Sequence, residues 1–507
     1  MKVKPHLFSL SKNLDSLLAA LIGFFLIQIY AKHSGIGVSP DSVTYLSSAS
    51  HILAGHGFKS FDNFPTADFP FAYPFFLTII SFITRLDPLQ FGQIINGILF
   101  GLLIYMSGGI MNGFKNPSGW YKRILLVCIL LSPALQEVYS FLWSETIFLL
   151  LILLFIINIS NYFREREKKW LFISTGICAI ACETRYAGVF LVMTGCCLIF
   201  FNPGMSWRKR ITDCLMFGSL SISLLVINIV RNYRLVGLAM GIRPKNETGF
   251  FKIMEYFGGI FCDWLLIDPT PVWSVSMAVI VVLIFAMTIL FTVKREKMMY
   301  YPESVIAVTG LIYCLFMLVS YSLTRYEQFT SRLLSPMFIP LLWSVSWWLP
   351  GLLTKRSFRM KWVIGLPVLL GTAWFLNVQL AADWEYYDGV KDAGIPGYRE
   401  DPFVQSDIVR FLKNNSSLFE SGYEVYSNAG DAFYFVTGKP ARQLPYIDFP
   451  EKVQHFYDPP LKNSPGEYLV WFQHEENLQM PVLDSILKHK DMVLVKQLAD
   501  GAVYETK

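Results

Sequence analysis

Charged residues are scarce in this chain, and long apolar runs take their place. Of its 507 residues, 16% are charged and 53% are hydrophobic, whereas soluble domains carry about 25% charged residues. Apolar runs of membrane-spanning length recur between residues 14 and 380. The composition excludes an ordinary soluble protein and predicts a polytopic α-helical membrane protein.

Several motifs of soluble enzymes are also absent from the sequence. It contains no glycine-rich phosphate loop, no nucleophile elbow and no Asp-x-Asp pair. The eight cysteines form no CxxC motif, and none follows residue 314, which argues against a disulfide framework or a zinc site. The net charge of +5 comes largely from basic residues between the apolar runs, so it indicates membrane topology and no nucleic-acid partner.

Five short basic clusters set the topology. They lie at 115–123, 164–169, 208–210, 294–297 and 355–361, and the positive-inside rule places them in the cytoplasm with the N-terminus. This assignment fits about eleven spans, at 14–30, 91–111, 124–135, 146–159, 170–182, 188–201, 211–230, 272–293, 305–323, 333–350 and 362–380. The apolar segment 73–84 is too short to cross, and we expect an interfacial or re-entrant helix there.

The same topology leaves three segments outside the membrane: 31–90, 231–271 and everything after 380. Strand candidates at 424–427, 467–472, 492–495 and 502–504, with helices at 403–413 and 482–488, predict a soluble α/β fold at the C-terminus. We therefore predict a transmembrane module over residues 1–380, with outer loops at 31–90 and 231–271, and a small extracytoplasmic α/β domain over 381–507.

A carboxylate stands at the start of a predicted helix shortly after the first span. Ser39 suits the N-cap and Pro40 the first helical position, so Asp41 falls in the first turn, where the helix dipole favours its ionised form. Tyr45 follows one turn later on the same face. Asp41 either serves the helix terminus alone or is ready to accept a proton or bind a cation.

Arginines at the outer ends of predicted spans form a complementary set. Arg185, Arg325 and Arg332 oppose the topological bias of basic residues, which indicates a specific role. The guanidinium fork suits phosphate oxygens, although a snorkelling or ion-paired arginine has the same sequence pattern. Glu145 opens a span at the same face, where it could cap the helix or bind substrate.

Short motifs follow one another in a characteristic order. They are Pro40-Asp41-Ser42-x-x-Tyr45, LAGHG at 53–57, FPFAYP at 69–74, SETIF at 144–148, Arg185 and SRLLSP at 331–336. With a basic N-terminus and one span before them, the sequence resembles the GT-C superfamily of membrane glycosyltransferases. The nearest branch is that of the protein O-mannosyltransferases and lipid A aminoarabinose transferases. The run 426–440 is similar to an extracytoplasmic tail of bacterial members.

This resemblance implies a fold, a reaction and roles for particular residues. It implies a GT-C-like enzyme of the inner (plasma) membrane that moves a hexose or pentose from a polyprenyl-phosphate-linked donor at the extracytoplasmic face. The acceptor is left open among protein, lipid and polysaccharide, and membrane lipids are further partners. The family's catalytic acid of the first outer loop corresponds to Asp41, and its phosphate-binding arginines correspond to Arg185 and Arg332, with Arg325 as a further candidate.

The sequence offers several candidates for a second acid and for further substrate contacts. Some relatives carry paired acids in the first outer loop, whereas only Asp41 stands at the helix start here. The candidates for a second acid are Asp62, Asp68 and Glu145, and those for further substrate contacts are Tyr45, Tyr73 and His56.

No cofactor is expected. No paired-acid motif supplies the oxygen ligands of a divalent cation, so metal independence is favoured. A divalent cation could bind only if the fold brings the carboxylate of Asp41 close to that of Asp62 or Asp68.

Two other classes of function compete with the enzyme. A transporter or flippase for a lipid-linked or anionic substrate would share the arginines, but it predicts charged or broken helices near the middle of the membrane and two related halves. The sequence shows neither feature. A non-catalytic scaffold that displays the C-terminal domain is the third hypothesis.

Overall fold

The structure, a computed structural model, describes residues 9–295, 301–324, 328–354, 357–419, 423–458, 466–475 and 479–506. The chain forms two compact units. The first comprises Met1–Tyr30, Ala67–Tyr73 and Gly92–Gly389, and we call it the helical unit. The second comprises Ala31–Thr66, Pro74–Phe91 and Val390–Lys507, and we call it the mixed unit because it contains helices and a sheet.

Apolar helices make up the helical unit. Their bounds are Leu14–Tyr30, Pro88–Asn112, Gly119–Leu130, Pro133–Ser140, Glu145–Glu165, Lys168–Thr184, Val189–Phe200, Trp207–Val236, Phe250–Asp263, Pro271–Ile289, Pro302–Leu323, Ser331–Ser346, Leu349–Thr354 and Phe358–Ala393. Among the described residues, seven helices are long and apolar enough to cross a membrane. An eighth span results if Gly119–Leu130 and Pro133–Ser140, which are bent by 52°, cross as one.

Nine of the eleven predicted spans each lie within one of these helices, to within a few residues at either end. The span 124–135 falls on the bent pair, and 333–350 extends over Ser331–Ser346 and Leu349–Thr354, which together form one candidate span. The three spans outside the seven long helices and the bent pair are helices of 17, 17 and 12 residues, namely Leu14–Tyr30, Lys168–Thr184 and Val189–Phe200. The segment predicted to be too short for a span forms a helix of 13 residues, Ala72–Thr84. The prediction of a polytopic helical protein with a small C-terminal sheet is therefore confirmed.

Five short strands form the sheet of the mixed unit. They are β1 (Glu424–Ser427), β2 (Arg442–Gln443), β3 (Glu467–Phe472), β4 (Met492–Gln497) and β5 (Gly501–Thr506), in the order β2-β1-β3-β5-β4. β1 runs parallel to β2 and β3, whereas β5 is antiparallel to β3 and β4. The four strands predicted from the sequence are confirmed, and the two-residue strand β2 escaped prediction because it is too short to show a pattern.

Helices cover both faces of this sheet. All six residues of β3 are buried, as expected for the central strand of a sheet that is covered on both faces. Tyr468, Val470 and Phe472 enter one core, and Leu469 and Trp471 enter a second core on the opposite face. The helices Asp407–Asn414 and Gly430–Thr437 contribute to the first core, and Pro450–Tyr457 and Leu483–His489 contribute to the second.

The segment 31–66 belongs to the first of these cores. Val38 and Val43 are fully buried there, together with residues of the C-terminal helices and of β3. The main-chain N–H of Tyr398 donates to the carbonyl of Val38 at 2.9 Å, and that of Ile395 donates to Ser34 Oγ at 2.9 Å. Residues 31–66 and 390–507 therefore share one hydrophobic core.

Removal of a large side chain from this core should loosen both segments. Phe433 is fully buried in it, and a buried Phe→Ala change costs about 3–5 kcal/mol of stability. We expect Phe433→Ala to admit protease cleavage within both 31–66 and 390–507, as measured by limited proteolysis with mass spectrometry. Leu418→Ala, at a side chain that is 39% exposed, is the control. Cleavage confined to 390–507 would show that residues 31–66 do not depend on this core.

Candidate active site

The predicted catalytic acid, Asp41, lies in the first turn of the helix Pro40–Leu53. The main-chain N–H of Ser39 donates to Ser42 Oγ at 3.1 Å, and the two hydroxyl oxygens are 3.2 Å apart. These contacts fix the helix start at the position that the sequence predicts. The helix ends just before Gly55, whose φ of +77° favours glycine. Asp41 is half-buried, at the terminus where the helix dipole stabilises a carboxylate.

A second cluster in the helical unit joins Glu145 to two of the predicted arginines. Arg185 Nη1 lies 2.7 Å from Glu145 Oε1. Arg332 Nε donates to the same oxygen, and Arg332 Nη2 lies 3.3 Å from Glu145 Oε2. The side chain of Glu145 is 1% exposed, whereas those of Arg185 and Arg332 are 20% and 15% exposed. One buried carboxylate thus pairs with two arginines that are each partly exposed.

Local structure explains the position of Arg185. It follows the helix Lys168–Thr184 in an extended conformation and precedes the short turn Tyr186–Gly188. A Cβ atom at Gly188 would lie 2.5 Å from main-chain atoms of Ala181 and Cys182. Only glycine allows so close an approach, so Gly188 permits the turn that presents Arg185 to Glu145.

Arg332 is held from a second side by an aromatic ring. Its guanidinium carbon lies 4.1 Å from the centroid of the Trp143 ring, within the range of a cation–π interaction. Trp143 in turn stacks on Phe141, with ring centroids 4.1 Å apart and an interplanar angle of 5°. The residues just before Glu145 therefore orient the same arginine that Glu145 binds.

The cluster can bind an anion. Arg185, Arg332 and Glu145 together carry one net positive charge, and the carboxyl group of Glu137 also interacts electrostatically with Arg332 and Glu145. Within the described part of the chain, the Arg185 side chain makes its polar contacts through Nη1, which donates to Ser144 Oγ at 2.9 Å and forms the ion pair with Glu145. Its Nε and Nη2 groups remain for a ligand, and such a fork suits phosphate oxygens.

The other candidate acids have local contacts of their own. The Asp62 carboxylate accepts a hydrogen bond from the main-chain N–H of Phe64 at 3.0 Å, which shapes the turn in the loop that follows the Asp41 helix. Asp68 is exposed in the helical unit, where its main-chain carbonyl accepts from Arg243 Nη2 at 3.4 Å. The choice of a second acid among Asp62, Asp68 and Glu145 stays a prediction.

The predicted substrate contacts differ in accessibility. Tyr45 and Tyr73 are buried in the structure, so neither ring is presented to solvent. His56 is exposed, and its ring centroid lies 6.0 Å from that of His51. Arg325, the third candidate arginine, lies outside the described residues. These four roles stay predictions.

No group of three or more His, Cys, Asp or Glu residues could hold a metal ion within the ranges that the structure describes. The ion pairs of Glu145 are to arginines, which are not metal ligands. Metal-independent chemistry stays a prediction.

Comparisons with known proteins identify the fold. A comparison with protein-family models gives no match, and neither does one with curated proteins. ArnT from Cupriavidus metallidurans in the apo state superimposes with a TM-score of 0.56 at 12% sequence identity, over 97% of this chain and 97% of that chain. The same protein bound to undecaprenyl phosphate gives a TM-score of 0.55 with the same identity and coverage.

A third solved structure extends the comparison. The archaeal oligosaccharyltransferase AglB from Archaeoglobus fulgidus, in complex with an inhibitory peptide and a dolichol-phosphate, gives a TM-score of 0.50 at 12% identity. This match covers 92% of this chain and 70% of that chain. The chain therefore has the same fold as ArnT and AglB, which is the kind of fold that the short motifs in the sequence implied.

Proposed function

We propose that this protein is a membrane glycosyltransferase that moves a sugar from a polyprenyl-phosphate-linked donor to an acceptor. The observation that carries the proposal is the buried Glu145, which pairs with both Arg185 and Arg332 and leaves donor groups of Arg185 for an anion. The anion would be the lipid phosphate, since two proteins of the same fold have been solved with undecaprenyl phosphate and with a dolichol-phosphate. A lipid-linked donor also explains why the sequence needs no nucleotide-binding loop.

Asp41 is the general base in this proposal. It accepts the proton of an acceptor hydroxyl while the hydroxyl oxygen forms a bond to the anomeric carbon. The bond from that carbon to the phosphate oxygen breaks, and the lipid phosphate leaves with the electron pair. A base in this role accelerates transfer by about 10² to 10⁴. Its position in the first turn of a helix keeps the carboxylate ready to accept the proton.

Arg185 and Arg332 stabilise the charge that grows on the departing phosphate. Glu145 holds the two guanidinium groups before the donor arrives, so less side-chain entropy is lost when the phosphate binds. Both oxygens of Glu145 contact arginine, and the proposal therefore uses it to position Arg185 and Arg332.

The setting of the reaction is part of the proposal. The distribution of basic clusters supports a cytoplasmic N-terminus and an extracytoplasmic C-terminal domain in the plasma membrane. The acceptor would be a protein, a lipid or a polysaccharide, and the sugar a hexose or a pentose. Mass spectrometry of surface glycans and glycolipids from cells with and without this chain would identify both.

The first prediction concerns the base. Asp41→Asn should reduce sugar transfer from membrane-extracted polyprenyl-phosphate sugars by about 10² to 10⁴, because the amide cannot accept the proton. Transfer is measured on purified protein in vesicles of host lipids. Asp484→Asn, at an exposed residue of the helix Leu483–His489, is the matched control. Full transfer by Asp41→Asn would exclude Asp41 as the base.

The second prediction concerns the phosphate fork. Arg185→Lys keeps the charge but loses the planar pair of donors, so the Kd for undecaprenyl phosphate should rise by about tenfold. Binding is measured by titration calorimetry in detergent, with Arg410→Lys at an exposed arginine as control. Equal affinity of Arg185→Lys and the wild type would place the phosphate elsewhere.

The third prediction concerns Glu145. Removal of one partner from a buried ion pair costs about 3–5 kcal/mol, because the remaining charge stays buried without compensation. Glu145→Gln should therefore unfold at a lower temperature and bind undecaprenyl phosphate more weakly. The control is Glu167→Gln, since Glu167 forms an exposed ion pair with Lys169. Unchanged stability of Glu145→Gln would show that the pairs do not hold the cluster together.

A further inference from the structure

A buried carboxyl group of the C-terminal segment lies on the helix that packs against the Asp41 helix. This is Asp431, in the first turn of Gly430–Thr437, which contacts Pro40–Leu53 within the mixed unit. Asp431 is 7% exposed, whereas Asp41 is half-buried. The two carboxyl groups interact electrostatically. Sequence motifs had placed no second acid here, although Asp431 belongs to the conspicuous run 426–440.

Tyr398 connects Asp431 to the chain that enters the Asp41 helix. Its main-chain N–H donates to the carbonyl of Val38 at 2.9 Å, three residues before Asp41. Its hydroxyl donates to Asp431 Oδ2 at 2.7 Å, and the Tyr398 side chain is buried. Tyr398 therefore links the Asp431 carboxyl group to the main chain that leads into the Asp41 helix.

Close packing at Gly430 fixes the start of the Asp431 helix. The main-chain N–H of Gly430 donates to Gln443 Oε1 at 2.8 Å. A Cβ atom at Gly430 would lie 3.2 Å from the carbonyl oxygen of Ala441 and 3.3 Å from the ring of Phe61, which belongs to the segment 31–66. This crowding leaves the Asp431 helix little freedom to move away from that segment.

We infer that Asp431 is a positioning residue for Asp41: the two form a carboxyl pair in which the buried Asp431 holds the proton and Asp41 stays ionised to act as the base. The inference rests on the proposed function for the role of Asp41 in transfer. Through Asp431, the C-terminal segment 390–507 would then influence the residue proposed as the base.

The environments of the two groups determine which one keeps the proton. Burial raises the pKa of Asp431, while hydrogen bonds from Tyr398 and from the amides of Asp431 and Ala432 lower it, and the charge of Asp41 raises it. The net shift is upward. Asp41 is less buried and lies at a helix N-terminus, where the ionised form is favoured. Environments that separate two carboxyl groups in this way assign the acid and the base.

Other ionisable groups face Asp431 from the same unit. The pKa of Glu475 is raised by burial and by the charges of Asp431 and Glu400, and lowered by His474. When such groups interact, each observed pKa describes the interacting groups together and not one residue alone. Ionisation of Asp431 adds a negative charge on the helix that packs against the Asp41 helix, so both ionisations of the pair should affect the rate.

The pH dependence of kcat/KM for sugar transfer tests the pair. The wild type should show two inflections on the acid side, and Asp431→Asn should show one. Tyr398→Phe should keep both and move the upper one to higher pH, because the ionised Asp431 loses a hydrogen-bond donor. Asp484→Asn should match the wild type. A purely structural role would lower the rate of Asp431→Asn and leave both inflections, and that result would overturn the inference.

A second measurement does not require activity. Because the pKa of folded Asp431 is raised, its contribution to stability is present below the unfolded pKa and is lost as the pH rises through the folded pKa. The unfolding temperature of the full-length wild type in detergent should therefore fall through that range. Asp431→Asn should remove the fall, and Asp41→Asn should move it to lower pH, because the charge of Asp41 no longer raises the pKa of Asp431.

The two measurements separate the inference from the proposed function. An absence of sugar transfer by the wild type would contradict the proposed function, while the unfolding temperatures would still decide whether Asp41 and Asp431 are coupled. An unfolding profile of Asp41→Asn that coincides with the wild type would overturn the carboxyl pair whatever the activity.

Discussion

The buried carboxylate of Glu145 is the constraint on which the helical unit's polar site depends. An ionised carboxylate without compensation is far too costly in an apolar interior, so Glu145 must have cationic partners. The structure supplies Arg185 from the end of one helix and Arg332 from the start of another. Both arginines are thereby fixed in place beside the buried carboxylate. The geometry of this cluster thus follows from the need to compensate a carboxylate that is buried in an apolar interior.

A different constraint governs the mixed unit. The Asp41 helix has 14 residues, a length at which an isolated helix is marginal in water. It gains stability because Val43 is buried in the same core as helices and strands from the other end of the chain. The conformation around Asp41 consequently depends on residues that lie more than 350 positions away, such as Tyr398 and Phe433. A chemical group carried by that distant segment is well placed to influence Asp41.

The sequence predicts those parts of the molecule that local patterns determine. Hydrophobic runs give the helices, short apolar runs give four of the five strands, and Ser39-Pro40 gives the start of the Asp41 helix. Strand β2 escapes prediction because it has only two residues. The shared core escapes for another reason. Burial of Val38 and Val43 against the C-terminal segment is a long-range contact, and no periodicity within 31–66 encodes its partner.

In the candidate site, too, local sequence patterns predict single residues but not the long-range contacts between them. Residue type and helix position pointed to Asp41, Arg185, Arg332 and Glu145 one at a time, but the ion pairs that join the last three are a product of folding. Asp431 carried no comparable signal, since an acid in the first turn of a short helix is common. Its significance comes from burial and from its neighbours Tyr398 and Asp41.

Three carboxyl groups of identical chemistry thus occupy three different environments. Glu145 is buried between two cations and stays ionised, so it serves to hold them. Asp431 is buried beside a phenol and another acid, which favours its protonated form. Asp41 is half-buried at a helix terminus, where the ionised form is stable and can still gain a proton. Only the last of these environments suits a base that must exchange a proton with a substrate hydroxyl. The roles proposed for the three carboxyl groups therefore rest on burial and neighbouring charge, which depend on the folded chain and not on the residue type.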